Sequence, residues 1–351
     1  MHPHRGRVCD GRTVTAGKSS WLLVDVVDLR AMSVVVVGDK VRSGVPLQSV
    51  VTRNQDRMLE VVRASVRAKD PVSVSISRSR RLTAVPVIDS VLSRVHGVWV
   101  STHPEEELVA VPSPSWCFVW DLAEGFAYRS EAVGMSSSWA DLGVPVRRPI
   151  ADALRVFDMG DHNTAALAGL ARKSGRSIDR YTVVEHRPDG DRQVHFVVHS
   201  VTEKSGSSTE NGAQVRFLRG LSVDIGHAPP QSRPRRSALG DRIAQALTPP
   251  RQYRAISDPD TLNLLYWHGP AAPRIAWMSD NTTDNPIIDP ADLPAAQRAV
   301  DELRTSGPGH SVALTVRFLT IDGGYEPVEL SASLLDLESG QCALLVVLTV
   351  E

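Results

Sequence analysis

Two stretches of the sequence about 133 residues apart read alike, and a pattern repeated at fixed spacing constrains a fold more than any single motif. In the first, helix-like Ala165 to Lys173 leads through Ser174-Gly175 to a strand Tyr181 to His186 and a turn at Arg187-Pro188-Asp189-Gly190. A strand Gln193 to Val201, a polar loop from Glu203 to Gly212 and a strand Val215 to Asp224 follow. In the second, a helix Pro290 to Arg304 leads through Ser306-Gly307 to a strand Val312 to Leu319 and a turn at Thr320-Ile321-Asp322-Gly323. A strand Pro327 to Leu335, a turn at Glu338-Ser339-Gly340 and a strand Cys342 to Val350 complete it. Both copies predict a helix followed by three antiparallel strands. Asp-Gly between alternating apolar runs supplies the positive-φ positions of a hairpin turn, which glycine occupies without steric cost. The helix of the second copy is expected to be capped by Asp289, with Pro290 at its first position, Asp292 facing the positive end of the dipole and Leu293, Val300 and Leu303 as its buried stripe.

The chain before the repeat predicts a separate sheet. Trp21 to Val27 and Met32 to Val37 are β-branched apolar runs that read as a hairpin across Asp28, Leu29 and Arg30. From Pro46 to Lys69, Leu47, Val50, Val51, Met58, Val61, Val62 and Val66 recur at helical spacing, and Asp70-Pro71 ends the helix. A strand Val72 to Ile76 follows, then a second helix from about Pro86 carrying Val87, Ile88, Val91, Leu92 and Val95, with Gly97 after its end. Val98 to Ser101 and Leu108 to Val111 read as strands. Cys117 to Asp121 and Gly125 to Tyr128 read as a hairpin across Leu122-Ala123-Glu124. The fold class expected is α+β, with three domains that are each a mainly antiparallel sheet with flanking helices. Residues 1–20 read as a disordered tail, 21–145 as the first domain, 148–227 as the second, 228–250 as a Pro- and Arg-rich linker containing a short helical segment Asp241 to Leu247, and 251–351 as the third.

With 351 residues, the chain has length for two or three domains with real cores. Its 42% apolar and 23% charged residues are those of a globular protein, and the net charge of -1 removes the basic excess that broad binding to nucleic acid or anionic lipid requires. Cys9, Cys117 and Cys342 are odd in number and far apart, which predicts reduced thiols. The first 20 residues lack the apolar run of a signal peptide, and no run is long enough to span a membrane. A cytoplasmic protein is expected.

The repeat resembles the C-terminal half of a PAS domain, with its connecting helix, hairpin over an Asp-Gly turn and last strand. The likeness rests on Tyr181 to Gly190 (YTVVEHRPDG), Val194 to Val201 and Arg219 to Ile225 (RGLSVDI) in the first copy. In the second it rests on Asp289 to Pro294 (DPADLP) and on Asp322-Gly323 through Ser331. The first domain is similar to the GAF/PAS superfamily in the order of its elements, so the whole resembles an actinobacterial triple-sensor-domain family, a GAF-like domain followed by two PAS-like domains with no output domain. The resemblance implies a concave pocket between sheet and helices that takes a small molecule or a partner. The signatures for a flavin or a bilin are missing, since Val215 to Arg219 (VRFLR) lacks a cysteine and Cys117 is followed by Phe118. No cofactor is expected.

No nucleophile elbow, phosphate-binding loop, zinc-protease helix or dinucleotide fingerprint is present. His186, His195 and His199 fall in one predicted hairpin, with His195 and His199 on one face and His195 opposite about Val184. Imidazole is a common metal or haem ligand, but ordinary surface or hydrogen-bonded roles are expected, and His162 and His268 have no partner pattern; His2 and His4 could hold a metal, but are read as part of the tail. Glu105, Glu106 and Glu107 read as a solvated charge run, and Asp280, Asp284, Asp289 and Asp292 as turns and a helix cap rather than a calcium loop. Arg233, Arg235 and Arg236 read as a solubilising linker, and Trp99, Trp116, Trp120 and Trp139 as core of the first domain. No catalytic or metal residue is therefore assigned, and the residues of any ligand pocket stay open. The expectation is a non-enzymatic sensor or adaptor that acts through a separate signalling protein, binding neither nucleic acid nor membrane. The alternatives are a docking scaffold with self-filled pockets and an enzyme with an unrecognised site.

Overall fold

A computed structural model describes residues 21–89, 92–107, 110–133, 147–155, 157–158, 163–171, 176–187, 190–204, 214–229, 249–278, 286–307, 309–337 and 341–350. The expected tail, most of the linker with its arginines and helical segment, and Trp139, His162, Asp189, Asp280 and Asp284 lie outside them. The described residues form three antiparallel sheets with few helices. The first holds β1 (Leu22–Asp25), β2 (Ser33–Val37), β3 (Lys40–Pro46), β4 (Val72–Ser77), β5 (Arg80–Ile88) and β6 (Val95–Pro104) in the order β3-β2-β1-β6-β5-β4. Helices α1 (Leu47–Val50) and α2 (Gln55–Ala68) connect β3 to β4.

The second sheet contains β7 (Ser115–Asp121), β8 (Phe126–Arg129), β9 (Arg147–Pro149), β10 (Phe157–Asp158), β11 (Ser177–Glu185), β12 (Arg192–Lys204) and β13 (Gln214–His227). Their order is β10-β11-β12-β13-β7-β8-β9, with α3 (Ile150–Arg155) and α4 (Asn163–Ala171) in the connection. The third contains β14 (Gln252–Ser257), β15 (Leu264–His268), β16 (Ser311–Leu319), β17 (Tyr325–Asp336) and β18 (Cys342–Thr349), ordered β15-β14-β18-β17-β16, with α5 (Leu293–Ser306) before β16. All three share one winding. An opening hairpin, extended by β3 in the first sheet and by β9 in the second, is followed by a helical crossover and a three-stranded meander, whose last strand returns beside the first at β1·β6, β7·β13 and β14·β18.

This winding corrects the domain reading at one place. The hairpin β7–β8, expected to close a first domain of 21–145, instead opens the second sheet, because β13 pairs with β7 from Phe217↔Asp121 to Val223↔Ser115. The helix expected from Pro86 is strand: β5 runs to Ile88 and pairs with β6 up to Ile88↔Val95. Its apolar residues are buried on both faces of the sheet, Leu82 and Ala84 on one and Val87 on the other, so apolar spacing alone mimicked a helical stripe. The helix expected over Pro46 to Lys69 is two helices, interrupted at Val51 to Asn54, where Asn54 is left-handed (φ 56°). Ala110 and Val111 are not strand, and Leu108 lies outside the described residues.

The repeat is present as α4 with β11–β12–β13 and α5 with β16–β17–β18. Its turns use glycine as expected, Gly190 at φ 114° and Gly323 at φ 87°. Helix α5 begins later than read. Asp292 stands at its N-cap and Leu293 is 37% exposed, while Val300 and Leu303 are buried. Asp289 and Asp292 both pair with the Arg317 guanidinium, which holds the Asp292 carboxyl below its usual range.

The elements stack in layers. Helix α2 covers one face of the first sheet, packing Met58, Val61 and Val62 on Val24, Val34, Leu82 and Val98. The other face, with Trp21, Leu23, Val35 and Trp99, meets Cys117, Val197 and Leu221 of the second sheet. The sheets come so close that a Cβ on Gly97 would lie 2.7 Å from the Leu221 side chain. Beyond the second sheet, Leu154 of α3 and Leu167 and Leu170 of α4 pack between Leu218 on one side and Ile256, Leu265 and Ala343 of the third sheet on the other. Helix α5 covers the outer face of the third sheet.

Candidate functional site

The winding leaves the same place between sheet and helices in the second and third units, and the strand registers bring the two into correspondence. In the second sheet Phe118 stands opposite Gly220, Trp120 opposite Leu218, and Tyr181 opposite Phe196. By register the third sheet has Ala255 opposite Val346, Ser257 opposite Leu344, and Leu314 opposite Leu330. Aromatic side chains at four positions of the second sheet are thus small or aliphatic in the third.

The consequence is a difference in free space. In the second sheet Phe118, Phe157 and Phe196 interlock, with centroids 5.7 Å apart for Phe118–Phe196 and 5.1 Å for Phe157–Phe196, and the space left is about 60 Å³. Gly220 makes room for the ring of Phe118. In the third sheet the space between the sheet face, α5 and the segments around Leu262 and Ile287 is about 230 Å³. Among the described residues its wall is mostly apolar, including Ala255, Leu330, Ala332 and Val346, with the indoles of Trp267 and Trp277 also in the wall, and its polar residues are Ser257, Thr261 and Asn263. Trp267 and Trp277 meet edge to face at 6.0 Å. Trp267 is 4% exposed, and its Nε1 has no hydrogen-bond partner among the described residues.

The cavity wall is tied to the second sheet. Leu262 takes a left-handed conformation (φ 61°) after a turn in which Asp258 Oδ1 accepts from the N–H groups of Asp260 and Thr261. The next residue, Asn263, donates from Nδ2 to Ala123 O at 2.8 Å, in the β7–β8 turn.

The histidines go elsewhere. His195 and His199 share a face of β12 as expected, but His195 stands opposite Thr182, and Val184 pairs with Gln193. Four residues along a strand are roughly 13 Å apart, too far for one metal ion. His195 Nδ1 lies 2.9 Å from Thr182 Oγ1, and burial, aided by Arg180, lowers its pKa to about 4. His199 Nε2 lies 2.7 Å from Asp25 Oδ2, joining the second sheet to the first. His186 is exposed and pairs with Asp191. Glu105 binds Arg81 and Ser75, whereas Glu106 and Glu107 are exposed in a turn. Trp99 donates to Ser115 Oγ in the interface of the first two sheets, and Trp116 and Trp120 belong to the second sheet rather than to a first-domain core. Cys117 is a buried thiol whose pKa burial pushes well up, and its Sγ–H donates to Val87 O. Among the described residues no group of three or more His, Cys, Asp or Glu is arranged to hold a metal ion, and no helix is long and apolar enough to cross a membrane.

A family model for the Rv3651-like N-terminal region matches residues 20–108, and one for the Rv3651-like C-terminal domain matches residues 237–351. Rv3651-like domains stand at both ends of this chain. The N-terminal match spans the first sheet, the C-terminal match spans the third, and the second sheet lies between them. Among solved structures, an uncharacterized protein from Mycobacterium tuberculosis is similar over 95% of this chain and 96% of its own, at 20% identity and a TM-score of 0.75, which shows a shared fold. An RNA-binding light-oxygen-voltage receptor matches at 13% identity over 68% of this chain and 95% of its own. The E. coli DhaR(N)–DhaL complex matches at 10% over 68% and 80%. Their TM-scores of 0.24 and 0.21 carry no fold argument. No curated protein matches the chain.

Proposed function

We propose that this Rv3651-like protein is a non-enzymatic sensor or adaptor whose third unit binds a small molecule and whose first two units form the body that presents the result to a separate signalling protein. The observation that carries this reading is the contrast between equivalent sites: about 60 Å³ left among aromatic side chains in the second sheet, about 230 Å³ in the third. An apolar space of this size exceeds the roughly 150 Å³ of an engineered cavity that takes benzene. The shared winding, with its connecting helix and hairpin over a glycine turn, supports the PAS-like reading of the second and third units. Asn263 supplies a route from the cavity wall to the second sheet.

The second unit favours a docking role for its own part. Its pocket is filled by its own side chains, and its opposite face is joined to the first sheet by the buried His199–Asp25 contact. The test of the whole reading is native mass spectrometry of the full chain purified from its own host. A bound small molecule that is lost in the double variant Ala255→Phe, Val346→Gly, which transplants the Phe118/Gly220 pair, is the expected result. An unliganded mass for the unaltered chain moves the third unit to a docking role as well.

A further inference from the structure

We propose that the third-unit cavity takes an uncharged, largely apolar molecule that accepts one hydrogen bond from Trp267 Nε1, an inference that rests on the cavity being a ligand site. Trp267 forms part of the wall, is 4% exposed, and has a buried indole N–H without an acceptor among the described residues. An indole N–H donates only, so whatever satisfies it must offer a lone pair. A buried donor left unmade carries a penalty, and Trp267 differs from the other such donor among the tryptophans, Trp21, in forming part of a cavity wall.

The rest of the wall narrows the class. Among the described residues no charged side chain lines the cavity, so an ionised carboxylate, phosphate or amine would lose its hydration with no described charge to replace it. Water is a poor occupant beside Leu330, Ala332 and Val346, since a buried water needs two to four polar partners. The volume admits a substituted single ring or a compact branched chain carrying a carbonyl, ether or similar acceptor.

Three probes of one shape separate these statements on the full-length protein. Acetophenone carries a carbonyl, α-methylstyrene replaces that oxygen by a methylene group, and benzoate makes the same end an anion. Titrations followed by NMR, with the Trp267 indole N–H resonance assigned, are expected to show acetophenone binding about tenfold more tightly than α-methylstyrene. Benzoate should not bind, and only acetophenone should move the indole proton downfield. In Trp267→Phe the two neutral probes should come within about twofold of each other, with α-methylstyrene still bound, which also shows that the variant is folded. Equal binding of the neutral probes to the unaltered protein overturns the hydrogen-bond assignment and leaves the cavity reading standing. Binding of benzoate overturns the assignment of an uncharged ligand. Failure of both neutral probes to bind overturns the cavity reading along with the inference.

Discussion

The ring of Phe118 lies across Gly220 so closely that a Cβ built on the glycine would fall 2.0 Å from Phe118 Cζ and 2.6 Å from Val197 O. A side chain at this position must displace either an aromatic ring that fills the second-sheet pocket or a strand backbone. Gly220→Ala is therefore expected to destabilise the protein by about 3 kcal/mol, at the upper end of overpacking costs. Urea unfolding checks this, and the double variant Gly220→Ala, Phe118→Ala should cost clearly less than the sum of the two single losses. A Gly220→Ala protein as stable as the original would contradict the close packing.

His199 and Asp25 tie the second sheet to the first with both side chains buried. Removing either leaves a polar group stranded in the interface, so Asp25→Ala and His199→Ala should each cost about 3 kcal/mol. The double variant should cost clearly less than the sum. Additive losses in a denaturation cycle would show that the two residues do not act together.

His195 makes stability depend on pH. Its pKa is lowered by burial to about 4, whereas an unfolded chain has a histidine pKa of about 6.5. Above that value both states are neutral at this group. As pH falls below it, the unfolded state takes up a proton that the folded state refuses, so stability declines until pH reaches the folded-state pKa. Between pH 7.5 and pH 5 this one residue should remove about 2 kcal/mol. Comparing the unfolding free energy of the unaltered chain with His195→Gln at both pH values isolates the contribution, and equal pH slopes would contradict it.

Much of the third unit was legible because its signals are local. Asp322-Gly323 marks a hairpin between two apolar runs, and the turn forms where the sequence places it. The opening hairpin of the second unit was read correctly as Cys117 to Tyr128 but given to the wrong sheet, since its partner β13 lies about 100 residues away and no local pattern encodes that pairing. The same displacement hid the candidate site. Only with β7 beside β13 and β14 beside β18 does Phe118 correspond to Ala255, and the exchange of bulk for space becomes visible. The spacing of His195 and His199 gave their shared face, but their partners Thr182 and Asp25 follow from register and sheet stacking.

The open third-unit cavity beside a plugged second-unit counterpart can be examined without knowing the ligand. Xenon enters apolar cavities of this kind, so a crystal of the full chain under xenon pressure reports directly on both sites. The account predicts xenon between Ala332, Val346 and α5, and none among Phe118, Phe157 and Phe196. Xenon among those three phenylalanines, or none beside Ala332, would contradict it.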